Sequence, residues 1–351
     1  MKKNNFLSLA LLVILLTIAL IITACGADEP VVEPVDEEAD VEEETAVEEE
    51  TVRVADFLLV RANEYEQAKS DGIESMLDEF NAEVDTYACE FDTQEQINQI
   101  QDAITMGVYD AFIIWPNDSN AVVPIIEEAI EAGIVVIGVG VIGPDTRSLE
   151  PYPEGVTSII ANTGWGVGTW LGRAVVDAAG GQPAKVAYLM GSQAFTVDQD
   201  RYEALLEVVK DNPEIEVVSL QEGAYRRDTS REVMQNVFQA NPDIDIVVSS
   251  GDQMTLGAFD AAEDMGIADN IKFIGNGCSI QGWEAIRDGK LYGSYADIPY
   301  TQGQIALEMA VRAVRGEEVP PSIDLEHQSP PHPASGPMIT IDVIDEFDAQ
   351  W

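Results

Sequence analysis

Along this chain, short continuous apolar runs alternate with amphipathic stretches of helical length, and few architectures accept that alternation. The runs fall at 52–60, 111–115, 134–139, 158–160, 185–190, 216–220, 244–249, 271–274 and 291–296. Helical stretches fill the gaps at 67–80, 93–106, 122–132, 166–179, 199–209, 230–239, 256–265, 282–288 and 302–315. Strands that are apolar on both faces and separated by helices belong to parallel sheets covered on both sides. The folded part, starting near Thr51 and running to Trp351, has the length of two ordinary domains. An α/β fold of two doubly wound units accounts for the size and strand number better than one TIM barrel, which shares the alternation.

Local chemistry marks several helix ends. Asp118 or Ser119 is placed to cap the helix after Trp115-Pro116, and Ser230 to cap a later one. Asn212-Pro213 and Asn241-Pro242 close helices and feed the next strands. These signals are structural.

The N-terminus has a different character. Lys2 and Lys3 precede an apolar stretch from about Phe6 to Ile22, the layout of a secretory signal. The stretch ends at Ile22-Thr23-Ala24-Cys25-Gly26, which resembles the bacterial lipobox. That resemblance implies a signal peptide over 1–24 and acylation of Cys25; a transmembrane anchor is the alternative reading of the same stretch. Glu, Asp, Val, Ala and Pro fill 27–50, a composition that cannot bury enough apolar surface to fold. Residues 25–50 therefore read as a disordered acidic tether, with Pro30 and Pro34 arguing against a long helix.

The formal net charge of −46 leaves no basic face for nucleic acid and disfavours polyanionic ligands. Cys89 and Cys278, remaining after Cys25, suggest no disulfide framework. The cluster Gly138-Val139-Gly140-Val141-Ile142-Gly143 has dinucleotide-loop spacing but runs into Pro144-Asp145 instead of a helix, so the phosphate site is missing. Gly164-Trp165-Gly166-Val167-Gly168 opens a helix with the wrong spacing. The sequence contains no GKS or GKT loop, HExxH, GxSxG or CxxC, and its histidines, His327 and His332, share a Pro-rich loop. No cofactor or metal is implied, and the missing catalytic constellation argues against an exported enzyme.

The stretches 63–72, 115–121, 233–236, 251–258 and 288–291, in this order and spacing, resemble the type I periplasmic binding proteins, specifically the ribose-binding group. The resemblance implies two lobes joined by three crossing strands near Asn162-Thr163, Asp297-Ile298 and Leu325-Glu326. Lobe one would comprise 51–162 plus 298–325, lobe two 163–297 plus 326–345, and 346–351 a tail. It also implies a ligand site in the cleft. Asn63 and Tyr65 match an amide and an aromatic of the family, whereas Glu66 replaces a second aromatic. Tyr225 matches an aromatic of lobe two, and Asp297 a polar residue beside the second crossing. Departures are serious: an Asp-Arg pair becomes Gly140-Val141, an Arg becomes Gln199, an Asn becomes Gly251 and an Asp becomes Gly277. Arg201, two places on, is assigned a structural role.

The resulting candidate ligand set is Asn63, Tyr65, Glu66, Asn162, Asp198, Gln199, Tyr225, Asp252, Asn276 and Asp297. Asp252 is equally suited to capping the helix from Met254, and Trp165, Trp170 and Trp283 to packing. Arg226 and Arg227 stand near the cleft mouth but read as solvated arginines. The resemblance implies a monomeric, extracytoplasmic receptor that hands a sugar-like solute to a membrane ABC permease. A receptor serving a chemoreceptor or histidine kinase, and a binder of cationic or nucleoside-like solutes, are the alternatives. An export signal in place of a DNA-binding head excludes the related repressor-type transcription factors.

Overall fold

The computed structural model describes residues 50–351. The expected signal peptide, Cys25 and the expected tether up to residue 49 lie outside the described residues. Among the described residues no helix is long and apolar enough to cross a membrane.

The strands are β1 (Val52–Leu58), β2 (Ala82–Ala88), β3 (Ala111–Ile114), β4 (Val135–Gly138), β5 (Ser158–Ala161), β6 (Ala184–Met190), β7 (Ile215–Glu222), β8 (Ile246–Ser249), β9 (Lys272–Gly277), β10 (Gly293–Ala296), β11 (Ser322–Asp324) and β12 (Met338–Thr340). The α-helices are α1 (Glu64–Glu74), α2 (Leu77–Phe80), α3 (Thr93–Met106), α4 (Val123–Glu131), α5 (Gly164–Ala179), α6 (Thr196–Val209), α7 (Arg227–Ala240), α8 (Asp252–Asp264), α9 (Ile280–Arg287) and α10 (Pro299–Val314).

The strands form two six-stranded sheets, ordered β11-β5-β4-β3-β1-β2 and β12-β10-β9-β8-β6-β7. Each contains a doubly wound order, outward from the second strand: β2-β1-β3-β4-β5 in one and β7-β6-β8-β9-β10 in the other. Every ladder is parallel except that of β12 on β10. This is the two-lobed α/β architecture expected from the alternation.

Central strands are apolar throughout because helices cover both faces; β3 (Ala-Phe-Ile-Ile) is buried at every position. The edge strand β2 reads Ala-Glu-Val-Asp-Thr-Tyr-Ala and is partly exposed. It escapes a search for apolar runs, as do the three-residue strands β11 and β12.

The chain passes between the sheets after β5, after β10 and after β11. After the second passage, α10 returns to cover β1, β3, β4 and β5 and lies against α1. Gly72 and Gly303 permit that approach, since a Cβ on either would strike the backbone of Tyr300 or Lys69.

Three local expectations need correction. The stretch 67–80 breaks into α1 and α2 at Ser75-Met76, and α1 starts at Glu64. Asp118 does not cap α4: its Oδ1 accepts from the Asn120 and Ala121 amides in the preceding turn. Ser230 lies inside α7 and bonds the Gly223 carbonyl at 3.4 Å. By contrast α3 runs over 93–106 as its pattern requires, capped by the Asp92 carboxylate and ended by left-handed Gly107 (φ +61°).

Candidate functional site

The carboxyl ends of both sheets face one cleft, where open α/β sheets collect their ligand-facing loops. The first wall is built from the loop after β1. Asn63 caps α1, and its Oδ1 accepts from the amides of Tyr65 at 2.9 Å and Glu66 at 3.3 Å. The carbonyl half of that amide is therefore committed to the helix.

Tyr65 projects into the cleft, held from α10: its hydroxyl donates to Gln302 Oε1 at 2.9 Å. Gln302 in turn donates to the carbonyls of Val139 at 2.9 Å and Ile160 at 2.7 Å, pinning Tyr65 to the ends of two strands. Trp115 meets Tyr65 edge-to-face at 5.2 Å.

Behind this wall lies a buried charge cluster. The Lys69 ammonium is 0% exposed, 3.2 Å from Asp56 Oδ1 and 3.4 Å from Glu66 Oε2. Burial pushes both carboxyls up and is only partly offset by Lys69. Burial alone would lower the Lys69 pKa, but the carboxylates on either side raise it. Glu66 Oε2 makes an ion pair but no hydrogen bond.

The cleft floor is formed where the chain passes between the sheets. Asn162 Nδ2 donates to Asp297 Oδ1 at 2.9 Å and to the Tyr295 hydroxyl at 3.2 Å. Asn276 Nδ2 donates to Asp297 Oδ2 at 3.2 Å and to the Ser250 carbonyl at 3.3 Å. Burial raises the Asp297 pKa, against the pull of Arg201 and these amides. Two of the three passages are thus tied together by one carboxylate.

On the second wall Tyr225 donates to Asp198 Oδ1 at 2.7 Å and accepts from an Arg201 terminal nitrogen at 3.2 Å. Arg201 itself lines the cleft, so the structural role assigned to it is incomplete. Three candidates need correction because the structure puts them off the cleft surface. Asp198 is fully buried behind Tyr225, where it also accepts from the Ser192 amide. Gln199 points outward and bonds the Gln193 carbonyl. Asp252 neither lines the cleft nor caps from a preceding position: it is the first residue of α8 and accepts from Ser279 N, Ser279 Oγ and Ser294 Oγ. Trp115, Asn117, Gln302 and Trp351 line the cleft without having been singled out. A signal for Trp115 and Asn117 existed in the 115–121 stretch; Trp351 follows no periodic pattern.

Four buried polar atoms of cleft-lining residues have no hydrogen-bond partner: Glu66 Oε2, Asn117 Oδ1, Asn276 Oδ1 and Arg201 Nε. Unpaired buried polar atoms cost free energy, and a ligand offering several donors and one acceptor would satisfy them.

The lobes touch across the mouth. Phe91 follows β2 and Phe195 precedes α6, and their rings are 5.7 Å apart. Arg147, in the loop after β4, reaches Asp200 at 3.1 Å and Glu203 at 2.6 Å on α6, and its guanidinium lies 3.9 Å over Trp165.

Two doubly wound lobes, three passages between them and an enclosed interlobe cleft with unsatisfied polar groups define a two-lobe solute-binding protein. The chain belongs to the periplasmic binding protein family, whose domain model matches residues 57–318. It is similar to the ribose import binding protein of Bacillus subtilis, at 27% identity over 312 residues, 88% of this chain and 95% of that one. It is also similar to the D-ribose/D-allose-binding protein of Pseudomonas aeruginosa, at 26% identity over 307 residues, 85% and 90% of the two chains. A solute-binding protein of Actinobacillus succinogenes solved with bound D-allose has the same fold, with a TM-score of 0.75 at 21% identity, covering 85% of this chain and all of that one. The Bacillus halodurans protein with bound myo-inositol gives 0.74 at 21% identity, with 86% and 98% coverage.

Proposed function

We propose that the protein is an extracytoplasmic lipoprotein, anchored through Cys25, that captures a sugar or sugar-like solute between its lobes and delivers it to an ABC importer. The observation that carries this reading is the set of polar atoms without a hydrogen-bond partner in the cleft that Tyr65 also lines. Ring hydroxyls supply donors and acceptors, while the C–H face of a sugar suits an aromatic ring. The D-allose and myo-inositol bound by the structural neighbours, and the ribose and allose in the relatives' names, support a polyhydroxylated ligand.

The protein acts as a monomeric binding protein, not as an enzyme. Lobe one comprises 51–162 plus 298–325 and lobe two 163–297 plus 326–345, and the passages near Asn162, Asp297 and Leu325 serve as the hinge. Asn162, Asn276 and Asp297 hold the ligand from the floor, Tyr65 and Glu66 from lobe one, and Tyr225 with Arg201 from lobe two. A ligand bridging both lobes stabilises their closure, and the closed pair of surfaces is what a permease reads.

Calorimetric titration with D-ribose, D-allose, D-galactose, myo-inositol and xylitol tests the reading. At least one should bind, and Tyr65→Ala should weaken it about ten- to a hundredfold. Binding of none would overturn it. In a bacterial host Cys25→Ser should abolish acyl labelling and release the protein from membranes; retention would refute the anchor.

A further inference from the structure

Three glycines, two of them on the cleft wall, lie beneath aromatic rings that line the cleft. A Cβ on Gly140 would come within 3.3 Å of the Trp115 ring, and one on Gly251 within 3.3 Å of the Tyr225 ring. A Cβ on Gly277 would meet the Trp351 ring at 2.5 Å, too close to exist. At each place the backbone gives up its side chain and an indole or phenol supplies the surface.

Trp351 is the most firmly placed of the three, and it is held from both lobes. Its Nε1 donates to the Gly277 carbonyl at 3.2 Å, and its own carbonyl accepts from the Ile280 amide at 2.5 Å. Its ring meets Tyr65 edge-to-face at 5.4 Å, with the planes 78° apart. The preceding residue, Gln350, accepts from the Thr301 amide at 3.1 Å and donates to Thr301 Oγ1 at 2.7 Å. Tyr65 and Trp351 therefore form a right-angled aromatic corner opening into the cleft.

Most hydrogen-bonding groups behind Gly277 are spent, the exception being Asn276 Oδ1 on the residue before it. Besides Trp351 Nε1, the Gly277 carbonyl accepts from the Asp297 amide at 3.0 Å. The Cys278 amide donates to Ser294 Oγ at 3.0 Å, and the Ser279 amide to Asp252 at 2.7 Å. A hydroxyl pushed against this corner exchanges its water partners for an indole face, whereas a C–H or methyl group loses nothing. The orphaned polar atoms belong to Glu66, Asn117, Arg201 and Asn276; Glu66 follows Tyr65 and Asn276 precedes Gly277, so polar partners flank the corner while its indole face offers none.

We infer that the corner made by Trp351 and Tyr65 over Gly277 selects a sugar lacking a hydroxyl at the position it contacts, a deoxy or methyl-bearing ring, and that Trp351 is the residue that sets this preference. The inference rests on the sugar-binding reading and goes beyond it in ligand class. A side-chain acceptor at 277 would serve a fully hydroxylated ring; the indole in its place serves the deoxygenated one.

The test is titration of the full-length protein with matched pairs: D-ribose and 2-deoxy-D-ribose, D-galactose and D-fucose, L-galactose and L-fucose. In at least one pair the wild type should favour the deoxy member by about tenfold or more. Trp351→Ala should bring that ratio close to one, and Trp351→Phe should keep most of it. A wild type that favours the hydroxylated member of every pair it binds overturns the inference while leaving sugar binding intact. An unchanged ratio in both Trp351 variants overturns the role of Trp351. Failure to bind any of these sugars overturns this inference; failure that extends to D-allose, myo-inositol and xylitol overturns the sugar reading as well.

Discussion

Phe91 and Phe195 face each other across the cleft mouth, one from each lobe, with ring centroids 5.7 Å apart and planes inclined at 31°. Beside them Arg147 joins the first lobe to Asp200, Glu203 and Trp165 of the second. The mouth is therefore shut by a ring contact, by Arg147, and by a hydrogen bond from the Thr146 hydroxyl to Asp200.

Arg147 is 45% exposed, so each ion pair is worth only a fraction of a kcal/mol, and the stack on Trp165 adds a comparable amount. Arg147→Ala should cost the closed state about 1–2 kcal/mol, roughly tenfold in affinity. Small-angle scattering should give a larger radius of gyration than for the wild type. Equal radii and equal affinities would show that the arginine does not latch the lobes.

Lys69 is the shared cationic partner of two buried carboxyl groups. Lys69→Met should lower stability by about 3–5 kcal/mol, because it leaves buried charge without a partner. The triple variant Asp56→Asn, Glu66→Gln, Lys69→Met should recover much of that loss in urea unfolding. A Lys69→Met protein as stable as the wild type would refute the cluster as drawn.

Asn63 is both a cleft residue and a helix cap. Asn63→Ala should lower stability by about 1 kcal/mol through the lost cap, and Asn63→Asp should retain it. If affinity falls with Asn63→Ala while the melting temperature holds, the amide serves the ligand instead.

Burial raises the Asp252 carboxyl to about 7 despite the hydrogen bonds from Ser294 and Ser279. The folded state then holds a proton that the unfolded chain, with its carboxyl near 3.8, releases. Stability from this group is full below the unfolded value and is lost as pH rises through about 7. The slope from this one proton is at most about 1.4 kcal/mol per pH unit. Asp252→Asn should flatten the fall in melting temperature between pH 5 and 8; identical profiles would rule out Asp252 as a source.

The parallel core was legible because strands such as β3 are apolar at every position, and only a doubly covered sheet accepts that. The edge strand β2 was not, since one of its faces meets solvent and its carboxylates hide it among loop residues. At the site, position was easier to read than role. Asn63 and Tyr65 lie where the motif puts them, but the Asn63 carbonyl oxygen is consumed by its own helix. Gln199 and Arg201 lie two residues apart on α6, and the turn of that helix puts Arg201 on the cleft and Gln199 away from it. Trp351 was invisible because a residue delivered by an irregular tail leaves no spacing to detect.

The return of α10 and β11 to the first sheet bears on the order in which the protein assembles. Strands β1 to β5 emerge early in synthesis, but the helix that covers them and the strand that ends their sheet follow after nearly all of the second sheet. Loop closure across so long a span is slow, and exposed apolar strand faces invite association while they wait. The second sheet, continuous from β6 to β10, needs only β12 and is free to form first. Completion of the first sheet therefore waits on chain that lies beyond β10, whereas the second sheet can close around its own consecutive strands.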